Sequence, residues 1–197
     1  MIEKTIFPLG EITKAEARDL AKKGGLKVSE KKESQDICFI PDGDYALFIE
    51  NYTGKKYPHG NFVTTDGKVL GEHKGIIRYT IGQRKGLGLA LSHSMYVVGK
   101  NLTTNEVIIG ENEDLFSCEL YANEVNLSAI DTISAPMRLK AKTRYKQSES
   151  DATVTYENGL LHIVFDTPQR AICKGQSVVL YDGDIVIGGG KICSVPK

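Results

Sequence analysis

The stretch DATVTYENGLLHIVF, residues 151–165, decides the fold. Apolar and polar side chains alternate on both sides of Glu157-Asn158-Gly159, the pattern of two half-buried strands joined by a tight turn. A second hairpin reads from SVVLYDGDIVIGGG, residues 177–190, with its turn at Asp182-Gly183. A third reads from VTTDGKVLG, residues 63–71, where Asp66-Gly67 separates Val63 from Val69. IIRYTIG (76–82) and MYVVGK (95–100) are β-rich runs, and NLTTN joins the second of these to EVIIG (106–110). Short strands with turn signals about every ten residues predict a mainly β protein built as small barrels or sandwiches.

Helix is confined to the N-terminal part. Thr13 and Glu16 fit a capping box ahead of KAEARDLAKK, and Gly24-Gly25 supply the stop. Ala17, Leu20 and Ala21 form a narrow apolar stripe that needs a partner surface. A weaker helical stretch runs through residues 44–49.

Composition excludes several classes. No h-region opens the chain and no run approaches a membrane helix. The four cysteines, at 38, 118, 173 and 193, are widely spaced, as suits reduced thiols in a cytoplasmic protein better than a disulfide framework. There is no C-x-x-C, the four histidines lack ligand spacing, and no G-x-S-x-G occurs. Gly188-Gly189-Gly190-Lys191 lacks the leading glycine and the following Ser or Thr of a P-loop. The glycine-rich, basic IGQRKGLGLAL (81–91) has the composition to approach phosphates, with a bulge or tight turn as the plainer alternative.

The net charge of zero hides segregation. From His73 to Lys100 there are five basic residues and no acidic ones, whereas residues 101–137 hold seven acidic residues and no basic ones. Then Arg138, Lys140, Lys142, Arg144 and Lys146 recur at a period of two. On one strand these five would share a face, at ~6.6–7 Å intervals comparable to phosphate spacing. A solvated outer face is the alternative, but a same-sign row repels itself and an anionic partner would explain it.

Cys38, in KKESQDICFIPDGDY, is the candidate reactive thiol. Lys31 and Lys32 nearby favour a thiolate, Asp36 opposes it, and the bland alternative is a small buried hydrophobe between Ile37 and Phe39. Cys118, Cys173 and Cys193 read as structural, without basic or His company.

Taken together, FPLGEITKAEAR, KKESQDICFIPD, GEHKGIIRYTIGQRKGLGL, MYVVGKN, KAKTRYKQ, FDTPQRAICKGQSVVLYDGD and GGGKI resemble, in order, the tRNA-specific 2-thiouridylase family. The resemblance implies a short helical N-terminal segment, a small central β domain and a C-terminal antiparallel β-barrel. It divides the chain into residues 1–44, the tail of an N-terminal catalytic domain, then 45–112, central, and 113–197, tRNA-binding. The implied activity replaces the C2 oxygen of the wobble uridine with persulfide sulfur after ATP-dependent adenylation, with Mg²⁺. The family's S-G-G-x-D-S-type ATP loop does not occur in these residues, so ATP and Mg²⁺ are expected to bind outside them, and this chain alone is expected to be inactive.

Cys38 aligns with the family's second catalytic cysteine, which forms a transient disulfide with the first. Arg144, Tyr145 and Gln176 align with tRNA contacts; Lys142 and Gln147 rank lower. Implied partners are tRNA and a persulfide donor, either a cysteine desulfurase or a sulfur-relay protein, with no membrane. Self-association through an uncovered N-terminal helix is a further expectation. The sequence departs from the family at Asp36, where many members have glycine, and at Met95, where many have Trp. A non-catalytic RNA-binding β-barrel module and a protein-interaction module with a solvated basic strand remain the alternatives.

Overall fold

A computed structural model describes residues 5–30, 40 and 44–196. The chain divides into two compact units, residues 1–52 and 53–197. In the first, helix α1 spans Lys14–Lys23 and carries the expected capping box: Thr13 Oγ1 accepts from the Glu16 N–H at 3.3 Å, and the Glu16 carboxylate accepts from the Thr13 N–H at 2.7 Å. Two orphan amides of the first turn are thereby satisfied. The Gly24 N–H closes the helix on Leu20 O, and Gly25 leaves it at φ +67°. No α1 residue is buried, and Leu20 stays 54% exposed. Helix α2 spans Tyr45–Thr53, longer than the sequence indicated, and Asp44 Oδ1 accepts from the Leu47 N–H at its start.

The second unit holds two β structures. A four-stranded sheet comprises β1 (Gly60–Thr64), β2 (Val69–His73), β3 (Tyr96–Asn101) and β4 (Glu106–Gly110), in the order β2-β1-β4-β3. The β1–β2 pair is the Asp66-Gly67 hairpin, with Gly67 at φ +86°. By contrast, β1 and β4 run parallel. Phe62, Ile76, Tyr79, Leu87, Val97, Val107 and Ile109 form its core. His73, 1% exposed, sits against Phe62 and Tyr79 with both ring nitrogens engaged: Nε2 with Asn105 O at 3.0 Å, Nδ1 with the Gly75 N–H at 3.1 Å. The amide fixes Nδ1 as acceptor, so Nε2 carries the proton.

The run at 76–82 is not a strand. Residues 76–78 make a single 3₁₀ turn and no strand follows before Tyr96. Its buried residues Ile76 and Tyr79 are three apart rather than two, and Gly75, Gly82, Gly86 and Gly88 all take positive φ. Their backbone breaks the extension that β-branched side chains alone would favour.

The remaining strands close a barrel in the order β10-β5-β8-β7-β6-β9, every pair antiparallel. They are β5 (Phe116–Leu127), β6 (Met137–Lys142), β7 (Ser150–Glu157), β8 (Leu160–Arg170), β9 (Ser177–Asp182) and β10 (Ile185–Ser194). The fold is therefore mainly β, as the turn spacing indicated. In the deciding hairpin Ala152, Val154, Leu161, Ile163 and Phe165 point inward. Asn158 and Gly159 stand at φ +51° and +81°, the left-handed pair whose twist matches the flanking strands. Leu120, Leu139, Ala141, Val178, Leu180 and Ile192 complete the core. A seam of Val98, Leu115 and Ala171 ties the small sheet to the barrel. No described helix is long and apolar enough to cross a membrane.

Candidate nucleic-acid interface

The basic row divides into two parts. Strand β6 stops at Lys142, so Arg138, Lys140 and Lys142 share its outer face while Arg144 and Lys146 belong to the following turn. The three strand residues also meet acids from β7, β8 and the residue before β7. Arg138 Nη1 donates to Asp166 Oδ1 at 2.8 Å, Lys140 Nζ lies 3.3 Å from Asp151 and Lys142 Nζ lies 3.9 Å from Glu149. This corrects the expectation of five like charges on one strand face: acids on β8 and on or just before β7 pair with three of the five, as the solvated-face alternative required.

Hydrogen bonding from the Arg138 guanidinium holds the Asp166 carboxyl below its ordinary pKa, and the same bond raises Arg138. Because the folded-state value is the lower one for Asp166, the pair's stabilisation is present above the unfolded-state value. It disappears as pH falls through the folded one. An NMR titration is expected to find the Asp166 midpoint depressed and to see Arg138→Ala return it to the ordinary range. A midpoint that Arg138→Ala leaves in place would mean the pair does not form in solution.

Beyond Lys142 a buried polar network pins the turn. Thr143, 1% exposed, donates from Oγ1 to Gln147 Oε1 at 2.8 Å. Gln147 Nε2 donates in turn to Gln169 Oε1, which also accepts from Ser150 Oγ. Gln169 Nε2 donates to Thr167 O at 2.8 Å. Buried amides with paired donors and acceptors make such a turn rigid. Gln147, from the same motif as the candidate contacts, is thus a brace of the turn.

The turn places Arg144 and Tyr145 on opposite courses. Arg144 folds back so that Nη2 donates to Ala171 O and, at 3.3 Å, to Cys173 Sγ, while its Nε is buried without a partner. Tyr145 is 95% exposed. On the facing loop, the Gln176 N–H donates to Cys173 O and Gln176 O accepts from the Ile192 N–H at 2.8 Å. Arg144, Tyr145 and Gln176 come together around one open depression of about 540 Å³, with Lys142 and Tyr181 also in its lining. Lys142 Nζ stands 5.7 Å from the Tyr181 ring centre. Cations beside solvent-facing aromatic rings are the equipment for phosphate attraction and base stacking on single-stranded RNA.

Sequence reading passed over Tyr181. Its signal was the outward register position in β9, opposite Lys140. The reading also gave Cys173 no basic company, which the structure corrects. Cys173 is buried, accepts from Arg144, and lines a cavity of about 520 Å³ together with Lys100. Burial lowers the Lys100 pKa, and Cys173 partly opposes that shift. Cys118 is exposed and Cys193 half-buried. Cys38 and Asp36 lie outside the described residues.

Gly188–Lys191 lie within β10, paired to β5 and β9, so their amides are committed to the barrel rather than to a phosphate. Among the described residues no group of three or more His, Cys, Asp or Glu is placed to hold a metal.

Three family models match consecutive parts of the chain. They are a tRNA methyl transferase HUP domain over residues 1–42, a tRNA methyl transferase PRC-barrel domain over 46–111 and an aminomethyltransferase beta-barrel domain over 117–192. Among curated relatives, the tRNA-specific 2-thiouridylase MnmA of Acetivibrio thermocellus is 50% identical over 192 residues, 97% of this chain and 54% of the relative. MnmA 2 of Clostridium botulinum is 52% identical over the same shares. MnmA of Clostridioides difficile is 48% identical, over 97% of this chain and 53% of the relative. The chain spans about half the length of the curated relatives it matches. With three successive models matched and half the residues shared along nearly its whole length, this chain belongs to the tRNA-specific 2-thiouridylase family.

Proposed function

We propose that this chain holds tRNA and handles sulfur within a tRNA 2-thiouridylase, which moves persulfide sulfur to C2 of the wobble uridine after ATP-dependent adenylation. The observation that carries the reading is the convergence of Arg144, Tyr145 and Gln176 on one depression with Lys142 and Tyr181. The family resemblance implies those three residues, on segments about thirty residues apart in sequence, and the barrel brings them side by side. The relatives' names supply the reaction class.

In this reading Cys38 is the second thiol of the relay. As a thiolate it attacks the inner sulfur of a persulfide held on a partner cysteine and forms a disulfide with that cysteine. The outer sulfur is freed as hydrosulfide, which adds to C2 and displaces the adenylated oxygen as AMP. The persulfide comes from a cysteine desulfurase or relay protein, and adenylation with ATP and Mg²⁺ is assigned to residues other than those described.

The binding half is tested with an unmodified tRNA transcript bearing a wobble uridine. Affinity is expected to fall steeply with salt, each phosphate contact adding about −0.7 to the log–log slope for single-stranded RNA. A salt-insensitive interaction, or none, would favour a protein-interaction module. The thiol half is tested by native alkylation. Cys38 is expected to react faster than Cys118, Cys173 and Cys193, because thiolate character governs the rate. Exposed Cys118 is the stringent comparison, and a Cys38 slower than all three would end its assignment.

A further inference from the structure

We propose that Cys173 is a positioning residue for RNA recognition: its thiol fixes the guanidinium of Arg144 in the orientation that faces tRNA. The proposal rests on the tRNA-binding reading and adds to it a residue to which the resemblance assigns no role. Arg144 Nη2 donates to Ala171 O and to Cys173 Sγ, and Cys173 Sγ donates in turn to Ala171 O at 3.3 Å. The three groups form a closed triangle in which the thiol both accepts and donates. Nothing bonds the buried Nε, so rotation of the guanidinium is restrained from the Nη2 side.

The platform beneath the triangle is rigid. Ala171 holds the left-handed conformation at φ +55°, and its N–H donates to Leu115 O at 2.7 Å. It packs in the seam with Val98 and Leu115. A Cβ on Gly82 would come within 3.1 Å of the Ala171 Cβ, so the backbone at Gly82 packs against the same corner. A long Arg side chain has much rotamer freedom to lose on binding, and two acceptors on a fixed corner remove it beforehand. The sheet-to-barrel seam thus bears on RNA binding through Cys173 and Ala171, without either touching RNA.

The experiment measures affinity for the unmodified tRNA transcript and its salt slope, with thermal melting of each variant alongside. Arg144→Ala weakens binding and flattens the slope. Cys173→Ala, which keeps neither donor nor acceptor, is expected to weaken it about fivefold, the worth of one hydrogen bond. Cys173→Ser, which keeps both, should restore affinity to within about twofold of the parent on the same scale. The double variant Arg144→Ala/Cys173→Ala should bind no more weakly than Arg144→Ala, since both act through one guanidinium. If Cys173→Ala melts early, Cys173→Val fills the vacated volume and still lacks the polar atoms, with the same loss expected.

Additive losses in the double variant, or parent-like affinity in folded Cys173→Ala and Cys173→Val, would overturn the positioning role and leave the tRNA reading standing. So would a Cys173→Ser as weak as Cys173→Ala. An Arg144→Ala variant that binds like the parent would instead remove the tRNA reading, and this inference with it.

Discussion

Gly189→Ala is expected to cost the barrel about 3 kcal/mol, the upper end of what overpacking a close-packed site produces. Gly189 lies in β10 between β5 and β9, opposite Asn126 on one side and Val179 on the other. A Cβ at this position would stand 2.1 Å from Val178 O and 3.2 Å from Val178 C and Val179 Cα. All three are backbone atoms of the neighbouring strand, so no rotamer change relieves the contact. Strand β9 would have to move outward, and with it the pairing to β6 that closes the ring.

The site is tied to the same strand. The Gly175 N–H donates to Ile192 O, and the Ile192 N–H to Gln176 O. Displacing β10 therefore pulls at the loop that carries Gln176. Urea denaturation is expected to show a lower midpoint, with tRNA affinity falling in the fraction that stays folded. A shift under about 0.5 kcal/mol, typical of an unconstrained surface change, would mean that β10 and β9 are not packed this closely in solution.

Hairpins were legible in the sequence because their determinants are local. Asn158-Gly159, Asp66-Gly67 and Gly183 each carry their turn in one or two residues, and period-two alternation says which face is inward. Barrel closure is not local. The β5–β10 pairing joins residues about sixty to seventy apart, and nothing in either strand names the other. The parallel β1–β4 pair is hidden for the same reason.

The segment at 76–82 has the aliphatic content of a strand yet makes a 3₁₀ turn. Its glycines, at positive φ, were the contrary signal. At the site, the motif supplied Arg144, Tyr145 and Gln176, but the basic row was over-read. Asp166 and Asp151 on the neighbouring strands and Glu149 just before β7 pair with Arg138, Lys140 and Lys142, and alternation within one strand says nothing about its neighbour. Arg144 escapes that pairing because the strand ends before it and the turn sends its side chain to a carbonyl and a thiol instead.

That difference sets the second large effect. Arg144→Ala is expected to weaken tRNA binding by about 1–3 kcal/mol, roughly 5- to 150-fold, as loss of a charge-assisted contact does. The salt slope should flatten by about 0.7 if the contact is to one phosphate of a single-stranded region. Arg138→Ala serves as the internal control. It removes the same charge from the same segment, yet Arg138 is already paired with Asp166 and Thr153, so its loss frees an acid rather than a phosphate and should leave the slope nearly unchanged.

Arg144→Lys separates charge from geometry. An ammonium keeps the Coulomb attraction but has no further nitrogens to present outward while one stays on Ala171 O and Cys173 Sγ, as Nη2 of Arg144 does, so affinity should fall between parent and Arg144→Ala with the slope preserved. Tyr145→Ala completes the series. A ring 95% exposed contributes nothing to the core, so stability should hold while affinity drops by about 1–3 kcal/mol with little change in salt slope, the signature of a lost base stack. Equal effects of Arg138→Ala and Arg144→Ala would mean that tRNA senses only the net charge of the β6 region, and the depression between Arg144, Tyr145 and Gln176 would lose its place as the point of contact.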